Sequence, residues 1–179
     1  MFDLTNRNTF VASIPKGMDC VEVGVAAGAF AQAILDKADP TRLWLIDTWT
    51  QQPHAIDPSS APQEHHSASY HRVREQFRGE ERVKVLRTRS TTAASIFVDG
   101  SLGFVYIDAN HTDVAADIRA WWPKVMPGGI LAGHDYRDLE GYFTVKRDVD
   151  AFVQREELEL LLTREVDEAA RSWIVVKPE

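Results

Sequence analysis

Two short stretches of this sequence place carboxylates beside histidines, at spacings that could bind a metal ion and accept a proton. Asp108 and His111 follow one short apolar run, and His134 and Asp135 follow a second. Carboxylate oxygens are ligands that Mg²⁺ prefers, and a histidine side chain titrates near neutral pH, where it can act as a general base. If the fold brings the two stretches together, they predict a site for metal-assisted or base-assisted chemistry.

The elements that must position these residues form a strand–helix–strand unit. Phe104–Ile107 and Ile130–Gly133 have the length and composition of buried strands. Between them, Thr112 can cap a helix that Pro127-Gly128-Gly129 stops. One face of this helix is apolar at helical spacing: Val114, Ile118, Trp121 and Trp122. Parallel strands joined by a helix end at the same edge of a sheet, where ligands bind in open α/β folds, so the four polar residues should gather at one rim.

The first part of the chain has the same strand–turn–helix organisation. Met18–Gly24 predicts the first strand, Gly28 follows in a turn, and a helix continues from there. Glycines at such a turn let the backbone approach a ligand closely, although glycines after a strand are more often simple turn formers. The spacing Gly24-x-x-x-Gly28, with Glu22 just before it, differs from the G-x-G-x-x-G of dinucleotide-binding folds.

Asp47 ends the next apolar run, Leu43–Ile46. An acidic residue at the end of a second strand, about 20 residues beyond a glycine-rich turn, suits the hydroxyl groups of a ribose. The alternative is structural, because Asp47-Thr48 could equally cap a helix or a turn. The turn and the carboxylate together favour nucleotide binding more than either does alone.

The remaining elements frame this core. Thr50–Ala68 is polar and shows no periodicity, so we interpret it as a mobile lid loop over the rim. Leu158–Thr163 could be a strand or the end of the preceding helix, and we favour the strand because its neighbour needs a partner. Further predicted elements are a short N-terminal helix or turn within 5–15, an amphipathic helix over Tyr70–Phe77, a strand at Arg82–Leu86, a helix that Ser90 or Thr91 caps and that runs through Phe97, a helix over Val145–Glu157 and a last strand over Arg171–Lys177.

Length, charge and cysteine content limit the class of protein. The 179 residues suffice for one domain with a hydrophobic core, and the formal net charge of −7 argues against broad electrostatic binding to nucleic acid. No stretch is long and apolar enough to span a bilayer, and Met1-Phe2-Asp3 does not begin a signal peptide. The single cysteine, Cys20, cannot form an internal disulfide. We therefore expect a soluble cytoplasmic protein without nucleic-acid or membrane partners.

These features combine in a pattern that resembles the class I S-adenosylmethionine-dependent methyltransferases. The resemblance runs from about Val21 to Lys177 and rests on four features: Glu22-x-Gly24-x-x-x-Gly28, Asp47, Ile107-Asp108 and Pro127-Gly128-Gly129. Within that class the chain is most similar to the small bacterial O-methyltransferases related to macrolide-sugar and cephalosporin-pathway enzymes. Three stretches carry this closer resemblance: Tyr106–His111, Trp121-Trp122-Pro123 and Gly133–Tyr136.

The resemblance implies a single methyltransferase domain over residues 1–179. Its fold would be α/β and doubly wound, with a mostly parallel seven-stranded sheet, helices on both faces and an antiparallel hairpin formed by the last two strands. The implied cofactor is S-adenosylmethionine, with Asp47 on the ribose and the Arg87–Ser90 turn beside the adenine. The implied cofactor-binding residues lie at strand ends and turns: Glu22, Gly24, Val25, Gly28, Asp47, Thr48, Arg89, Ser90 and Asp108.

The resemblance also implies catalytic roles at the rim. Relatives that use a divalent metal take ligands from positions that correspond here to Asp108, His134 and Asp135, but several of them have a carboxylate in place of His134, so Mg²⁺ dependence stays open. His111 matches the position proposed as the general base in sugar O-methyltransferases, with Asp108 beside it. Each histidine also has a structural alternative. His111 could be a hydrogen-bonding group at a helix N-terminus, and His134 could orient Asp135.

The predicted function is O-methylation of a hydroxyl group on a small molecule of the sugar or natural-product type. Methyl transfer is an in-line displacement, and removal of the hydroxyl proton by His111, assisted by Mg²⁺, would activate the acceptor. The alternatives are a nicotinamide-dependent oxidoreductase and a non-catalytic cofactor-binding protein. The missing G-x-G-x-x-G counts against the first, and Asp108, His111 and Asp135 count against the second. The sequence does not identify the acceptor. A homodimer is possible, because a chain this short could use a neighbouring subunit to close its site.

Overall fold

The computed structural model describes residues 1–52, 60–109 and 111–179. Its strands, in chain order, are β1 (Asp19–Val23), β2 (Arg42–Asp47), β3 (Val83–Arg87), β4 (Leu102–Ile107), β5 (Val125–Gly133), β6 (Asp138–Leu139), β7 (Phe143–Thr144), β8 (Leu161–Leu162) and β9 (Trp173–Val176). Seven of them form one sheet in the order β3-β2-β1-β4-β5-β9-β8, and β6 and β7 pair separately. The strands are parallel from β3 to β5, whereas β9 runs antiparallel to both β5 and β8. The predicted mostly parallel, seven-stranded sheet is confirmed.

Helices cover both faces of this sheet. They are α1 (Arg7–Ser13), α2 (Ala29–Ala38), α3 (Gln63–Gln76), α4 (Ser90–Ala94), α5 (Val114–Trp121) and α6 (Val145–Arg155). One hydrophobic cluster joins the sheet to α1, α2 and α3, and a second joins it to α4, α5 and α6. Every residue of β4 is buried, as expected for a central parallel strand covered on both faces. Across the described ranges no helix has the length and apolarity needed to cross a membrane.

Helix α3 corrects the prediction of a loop over Thr50–Ala68. The helix begins at Gln63, directly after Pro62, so the loop prediction is wrong for residues 63–68. The side chain of Gln63 ties this first turn to the end of the preceding segment: its Nε2 donates to the carbonyl of Trp49 at 3.0 Å, and its Oε1 accepts from the backbone N–H of Gln51 at 3.0 Å. Tertiary contacts therefore fix a helix start that has no apolar periodicity. Residues 53–59 of the predicted lid lie outside the described residues.

The Pro127–Gly129 stretch is part of a strand, and the prediction that it separates helix from strand is wrong. β5 already begins at Val125, where it pairs with Leu102, and the next pair joins Ile130 to Phe104. The intervening residues bulge out of the ladder with β4. On the other side the residue directly after β9 pairs with this bulge, because the N–H of Gly128 donates to the carbonyl of Lys177 at 2.9 Å.

Other boundaries differ from the prediction in smaller ways. Helix α5 is capped by Asp113 and not by Thr112, since the Asp113 carboxylate accepts a hydrogen bond from the N–H of Ala116 at 3.1 Å. Helix α4 ends at Ala94 rather than at Phe97. The strand favoured within Leu158–Thr163 is present but spans β8 alone, and the predicted loop after Asp135 contains the β6–β7 hairpin.

Candidate active site

The ends of β1, β4 and β5 are held together by backbone hydrogen bonds just beyond the last strand residues. The N–H of Asp108 donates to the carbonyl of Val23 at 2.7 Å, and the N–H of His134 donates to the carbonyl of Ile107 at 3.0 Å. These bonds extend the parallel ladders by one residue and fix the backbone from which the rim side chains project.

The structure brings all four predicted rim residues together. His111 Nε2 lies 3.6 Å from Asp108 Oδ1 and 3.3 Å from Asp135 Oδ2. His134 Nδ1 lies 3.3 Å from Asp135 Oδ1 and 3.9 Å from Asp108 Oδ1. One ligand atom each from Asp108, His111 and Asp135 lie within 4.8 Å of one another, so the trio that could hold a metal contains His111 where the sequence suggested His134.

Asp135 is the most constrained member of this cluster. Its backbone is left-handed, with φ of 52°, a conformation that aspartate tolerates better than most residues. Burial raises the pKa of the Asp135 carboxyl, but a hydrogen bond from His134 and the charges of His134, His111 and Arg137 outweigh it, and the net pKa is lowered. The carboxylate therefore stays ionised at neutral pH, as a cation ligand must.

His111 is held by the β6–β7 hairpin. Its ring stacks on Phe143 with a centroid separation of 4.7 Å and an interplanar angle of 17°. Its carbonyl accepts a hydrogen bond from the N–H of Thr144 at 2.8 Å. The guanidinium of Arg137 lies 4.4 Å from the centroid of the same Phe143 ring. The hairpin therefore positions the candidate base, a role that sequence reasoning missed because strands of two residues leave no periodic signal.

Glu22 lies at the end of β1 and is 2% exposed. Its Oε2 has no hydrogen-bond partner among the described residues. Burial, followed by the charge of Asp108, raises the pKa of Glu22 well above its usual range, while Arg7 opposes that rise. A buried carboxyl oxygen without a partner is rare in folded proteins, and this one can accept a hydrogen bond from a ligand.

The glycines of the predicted cofactor turn are explained by packing inside the protein. Gly24 has a φ of +88°, and a Cβ there would lie 1.8 Å from the carbonyl oxygen of Asp108. Gly28, with a φ of +83°, caps α2, and a Cβ there would come within 3.1 Å of Val73. The side chain of Val25 is 3% exposed and belongs to the core. The close approach of this turn to a cofactor remains a prediction.

Asp47 connects the end of β2 to the same turn. Its Oδ2 accepts a hydrogen bond from the N–H of Ala26 at 2.9 Å, and its Oδ1 accepts one from the N–H of Trp49 at 2.7 Å. The carbonyl of Thr48 accepts a hydrogen bond from Arg87 Nε at 3.1 Å. Asp47 is thus a turn cap, and each carboxylate oxygen keeps a second lone pair for a ribose hydroxyl.

Ser90 opens α4 and contacts α5. Its Oγ accepts a hydrogen bond from the indole N–H of Trp121 at 2.9 Å. Asp117 lies beside it and is 3% exposed. Burial raises the pKa of Asp117 to about 6 against the lowering effect of its hydrogen bond to Ser90, and the charge of Asp113 raises it further. Arg89, the remaining residue predicted near the adenine, is exposed at the N-cap position of α4.

Sequence reasoning missed Arg7, which lies beside Asp108 at the end of β4. Its Nη1 lies 3.7 Å from Asp108 Oδ2, and its guanidinium lies 4.8 Å from the centroid of the Phe30 ring. The local signal at this position is a capping box formed by Asn6 and Thr9, which predicts a helix start and nothing about a distant carboxylate.

Comparison with known proteins agrees with this architecture. A family described as a methyltransferase domain matches residues 21–136, more than half of the chain. The chain belongs to this family, and its fold and family together make it a class I S-adenosylmethionine-dependent methyltransferase domain. The alternative of a nicotinamide-dependent oxidoreductase is set aside by this match.

A curated relative and three solved structures resemble the chain. An uncharacterised protein of Sinorhizobium fredii is 30% identical over 132 residues, which cover 70% of this chain and 14% of that protein, so the chain spans only a small part of its relative's length. A Corynebacterium glutamicum structure has a TM-score of 0.69 at 22% identity, covering 96% of this chain and 78% of that one.

The other two structures are more distant in sequence. An O-methyltransferase family protein from Burkholderia thailandensis has a TM-score of 0.67 at 11% identity, covering 96% of this chain and 55% of that one. A Streptococcus mutans protein described as a putative methyltransferase in complex with SAH has a TM-score of 0.63 at 10% identity, covering 95% and 94%. At these identities all three structures establish the shared fold alone.

Proposed function

We propose that this domain transfers a methyl group from S-adenosylmethionine to a hydroxyl group of a small molecule of the sugar or natural-product type. The observation that carries the proposal is the convergence of Asp108, His111 and Asp135, whose ligand atoms lie within 4.8 Å of one another beside the cofactor turn. Solved structures on the same fold include an rRNA methylase from Streptococcus thermophilus and a carbon methyltransferase, so the fold by itself leaves the acceptor open. A hydroxyl needs the activation that this cluster can provide, and the net charge of −7 disfavours RNA.

The residues around the turn after β1 fit the cofactor. Glu22, with its unpartnered buried oxygen, can accept a hydrogen bond from the ammonium group of the methionine moiety. Asp47 can accept one from a ribose hydroxyl, and Ser90 lies at the start of α4, where the adenine would bind. Bound S-adenosylmethionine supplies an electrophilic methyl group on its sulfonium. SAH in the Streptococcus mutans structure supports this choice of cofactor.

The Asp108–Asp135 pair fits a divalent cation. The lowered pKa of Asp135, which arises because His134 and nearby positive charges outweigh burial, keeps that carboxylate ionised. A divalent cation would offset the mutual repulsion of two carboxylates that face one site, and their oxygens suit Mg²⁺. When bound there, such an ion would lower the pKa of an acceptor hydroxyl. We assign Asp108 and Asp135 as its ligands, with His134 orienting Asp135 from 3.3 Å.

In this proposal His111 takes the proton from the hydroxyl group that becomes methylated. Its Nε2 points to both carboxylates, which stabilise the imidazolium that forms after proton transfer. Its ring is held by the stack on Phe143, so the nitrogen stays at the rim. The orientation of the acceptor relative to the methyl group then determines the rate of the in-line displacement.

Asp108→Asn tests the metal assignment. We expect it to weaken Mn²⁺ binding, measured by calorimetry on the isolated protein, and to lower methyl transfer to a panel of sugars and natural-product alcohols followed by mass spectrometry. The matched control is Asp99→Asn, an aspartate with a 72% exposed side chain before the start of β4, which should change neither quantity. The metal assignment fails if wild-type protein transfers methyl groups at full rate in EDTA, and the assignment of a small-molecule acceptor fails if the product is methylated RNA.

A further inference from the structure

We propose that Arg7 binds the α-carboxylate of the cofactor's methionine moiety and so makes the domain selective for ligands that carry this group. The inference deepens the proposed function and rests on S-adenosylmethionine as the cofactor, but it requires neither a metal ion nor a particular acceptor. Arg7 lies outside residues 21–136, the part of the chain that the family match covers.

The backbone of Arg7 is held in place at the start of α1. The side chain of Asn6 caps α1, and the N–H of Arg7 donates a hydrogen bond to Glu165 Oε1 at 2.6 Å. Phe10 and Val11, one turn further along α1, are fully buried in the core that α1 shares with α2. The guanidinium therefore extends from a fixed helix start.

The contacts of the guanidinium aim it at the cofactor turn. It lies over the ring of Phe30, in the first turn of α2, at 4.8 Å from the ring centroid. Its Nη1 is 3.7 Å from Asp108 Oδ2, which is an ion-pair distance but longer than a hydrogen bond. The Arg7 side chain is 32% exposed, so a ligand can reach it. Its charge also acts on the buried Glu22, whose raised pKa it opposes.

The methionine end of the cofactor carries both an ammonium and a carboxylate. Glu22 and Asp108 can accept hydrogen bonds from the ammonium, but the Asp108 carboxylate would repel the neighbouring carboxylate of the cofactor. Arg7 supplies the opposite charge at that place, and its planar fork of N–H donors matches a carboxylate. Arg87, at the end of β3, is engaged elsewhere, since it donates hydrogen bonds to the carbonyls of Thr48 and Trp49.

The test compares two ligands that differ only in the carboxylate: S-adenosylmethionine and decarboxylated S-adenosylmethionine. Calorimetry with wild-type protein should show tighter binding of the complete cofactor. In Arg7→Gln this preference should fall by about 10- to 100-fold, because a charge-assisted hydrogen bond is lost, while affinity for the decarboxylated ligand stays within about threefold. Arg7→Lys keeps the charge but loses the planar fork of donors. Its preference for the complete cofactor should lie between those of wild type and Arg7→Gln.

Arg42→Gln is the matched control. Arg42 has a 55% exposed side chain and pairs with Asp19 at the start of β1, far from the strand ends that form the rim. The Arg42→Gln variant should bind both ligands with wild-type affinity. Equal weakening of both ligands in Arg7→Gln, or a wild type that binds both equally, would overturn the inference and leave the proposed function standing. A wild type that binds neither ligand would overturn both.

Discussion

The rim residues differ in how the surrounding structure holds them. Asp135 occupies a left-handed backbone position, and the carbonyl of Asp108 packs against Gly24 at the place where a Cβ would clash. His111, by contrast, is held through its ring and its carbonyl by the β6–β7 hairpin. Replacing the side chain of His111 with a methyl group would remove the stack on Phe143 but keep the backbone hydrogen bond from Thr144.

His111→Ala should lower turnover by about 10²- to 10⁴-fold, the usual effect of removing a general base. Affinity for S-adenosylhomocysteine should stay unchanged, because His111 acts on the acceptor's proton and does not contact the cofactor in this proposal. Single-turnover kinetics and calorimetry measure the two quantities. His134→Ala provides the comparison and should have the smaller effect on turnover.

Two results would contradict this role of His111. Full turnover in His111→Ala would place the base elsewhere. A loss of Mn²⁺ affinity as large as that of Asp108→Asn would instead make His111 a metal ligand, in line with the trio whose atoms converge within 4.8 Å.

The β6–β7 hairpin acts at the scale of an element. Phe143 is 5% exposed and stacks on the imidazole of His111. Phe143→Leu keeps the site apolar but removes the flat surface that orients the ring. We expect turnover to fall by roughly tenfold, since small misplacements of a catalytic group are costly, with cofactor affinity unchanged. Leu139→Ala, on the exposed side of the hairpin, is the control, and equal losses in both variants would show a general effect of the hairpin instead.

The contact between α4 and α5 should make stability depend on pH. Asp117 ionises at a pH near 3.8 when unfolded, whereas burial raises its pKa to about 6 in the folded protein. The folded state thus holds this proton more tightly, and stability falls as pH rises from about 4 to 6. Above that window the ionised Asp117 lowers the free energy of unfolding by roughly 3 kcal/mol, because each pKa unit corresponds to about 1.4 kcal/mol.

Asp117→Asn should remove this loss of stability at neutral pH. The variant should match the wild type near pH 4 and be more stable at pH 7.5, as measured by urea unfolding at both pH values. Asp36→Asn, on the exposed face of α2, should show no such pH-dependent difference. A variant that is equally destabilised at both pH values would mean that the carboxylate is needed for packing around Ser90.

At the scale of the whole molecule, cofactor binding should stabilise the fold. A ligand at 100 times its Kd adds about 2.7 kcal/mol to the free energy of unfolding. For a domain of this size that corresponds to a rise in Tm of about 5–10 °C with S-adenosylhomocysteine. NAD should leave the Tm unchanged. The opposite pattern, a rise with NAD alone, would contradict the assignment of the cofactor.

The parts predicted from sequence are those with local signals. The buried strand β4 is visible in the sequence as an apolar run. Strand–helix alternation predicts that β4 and β5 are parallel and end at the same edge, so Asp108 and Asp135 are expected to meet there. Arg7 could not be found this way, because it meets Asp108 through the packing of α1 on α2 and not through any spacing along the chain.

Other features stayed hidden because a local pattern pointed elsewhere. The position of Asp117 predicts the polar side of an amphipathic helix, yet Asp117 is buried where α5 contacts Ser90 of α4. Pro127-Gly128-Gly129 reads as a turn, yet pairing with the residue directly after β9 keeps it within a bulged strand. In each case the environment is supplied by residues distant in sequence.

The hydrogen bonds that tie the strand ends together join the cofactor turn to the rim. Gly24 donates to the carbonyl of Ile46 at 2.8 Å, and Asp108 donates to that of Val23 at 2.7 Å, so the cofactor turn and the candidate catalytic carboxylate share one continuous backbone frame. The β6–β7 hairpin lies outside this frame. Substitutions in the hairpin are therefore expected to move the His111 ring while this backbone frame stays in place.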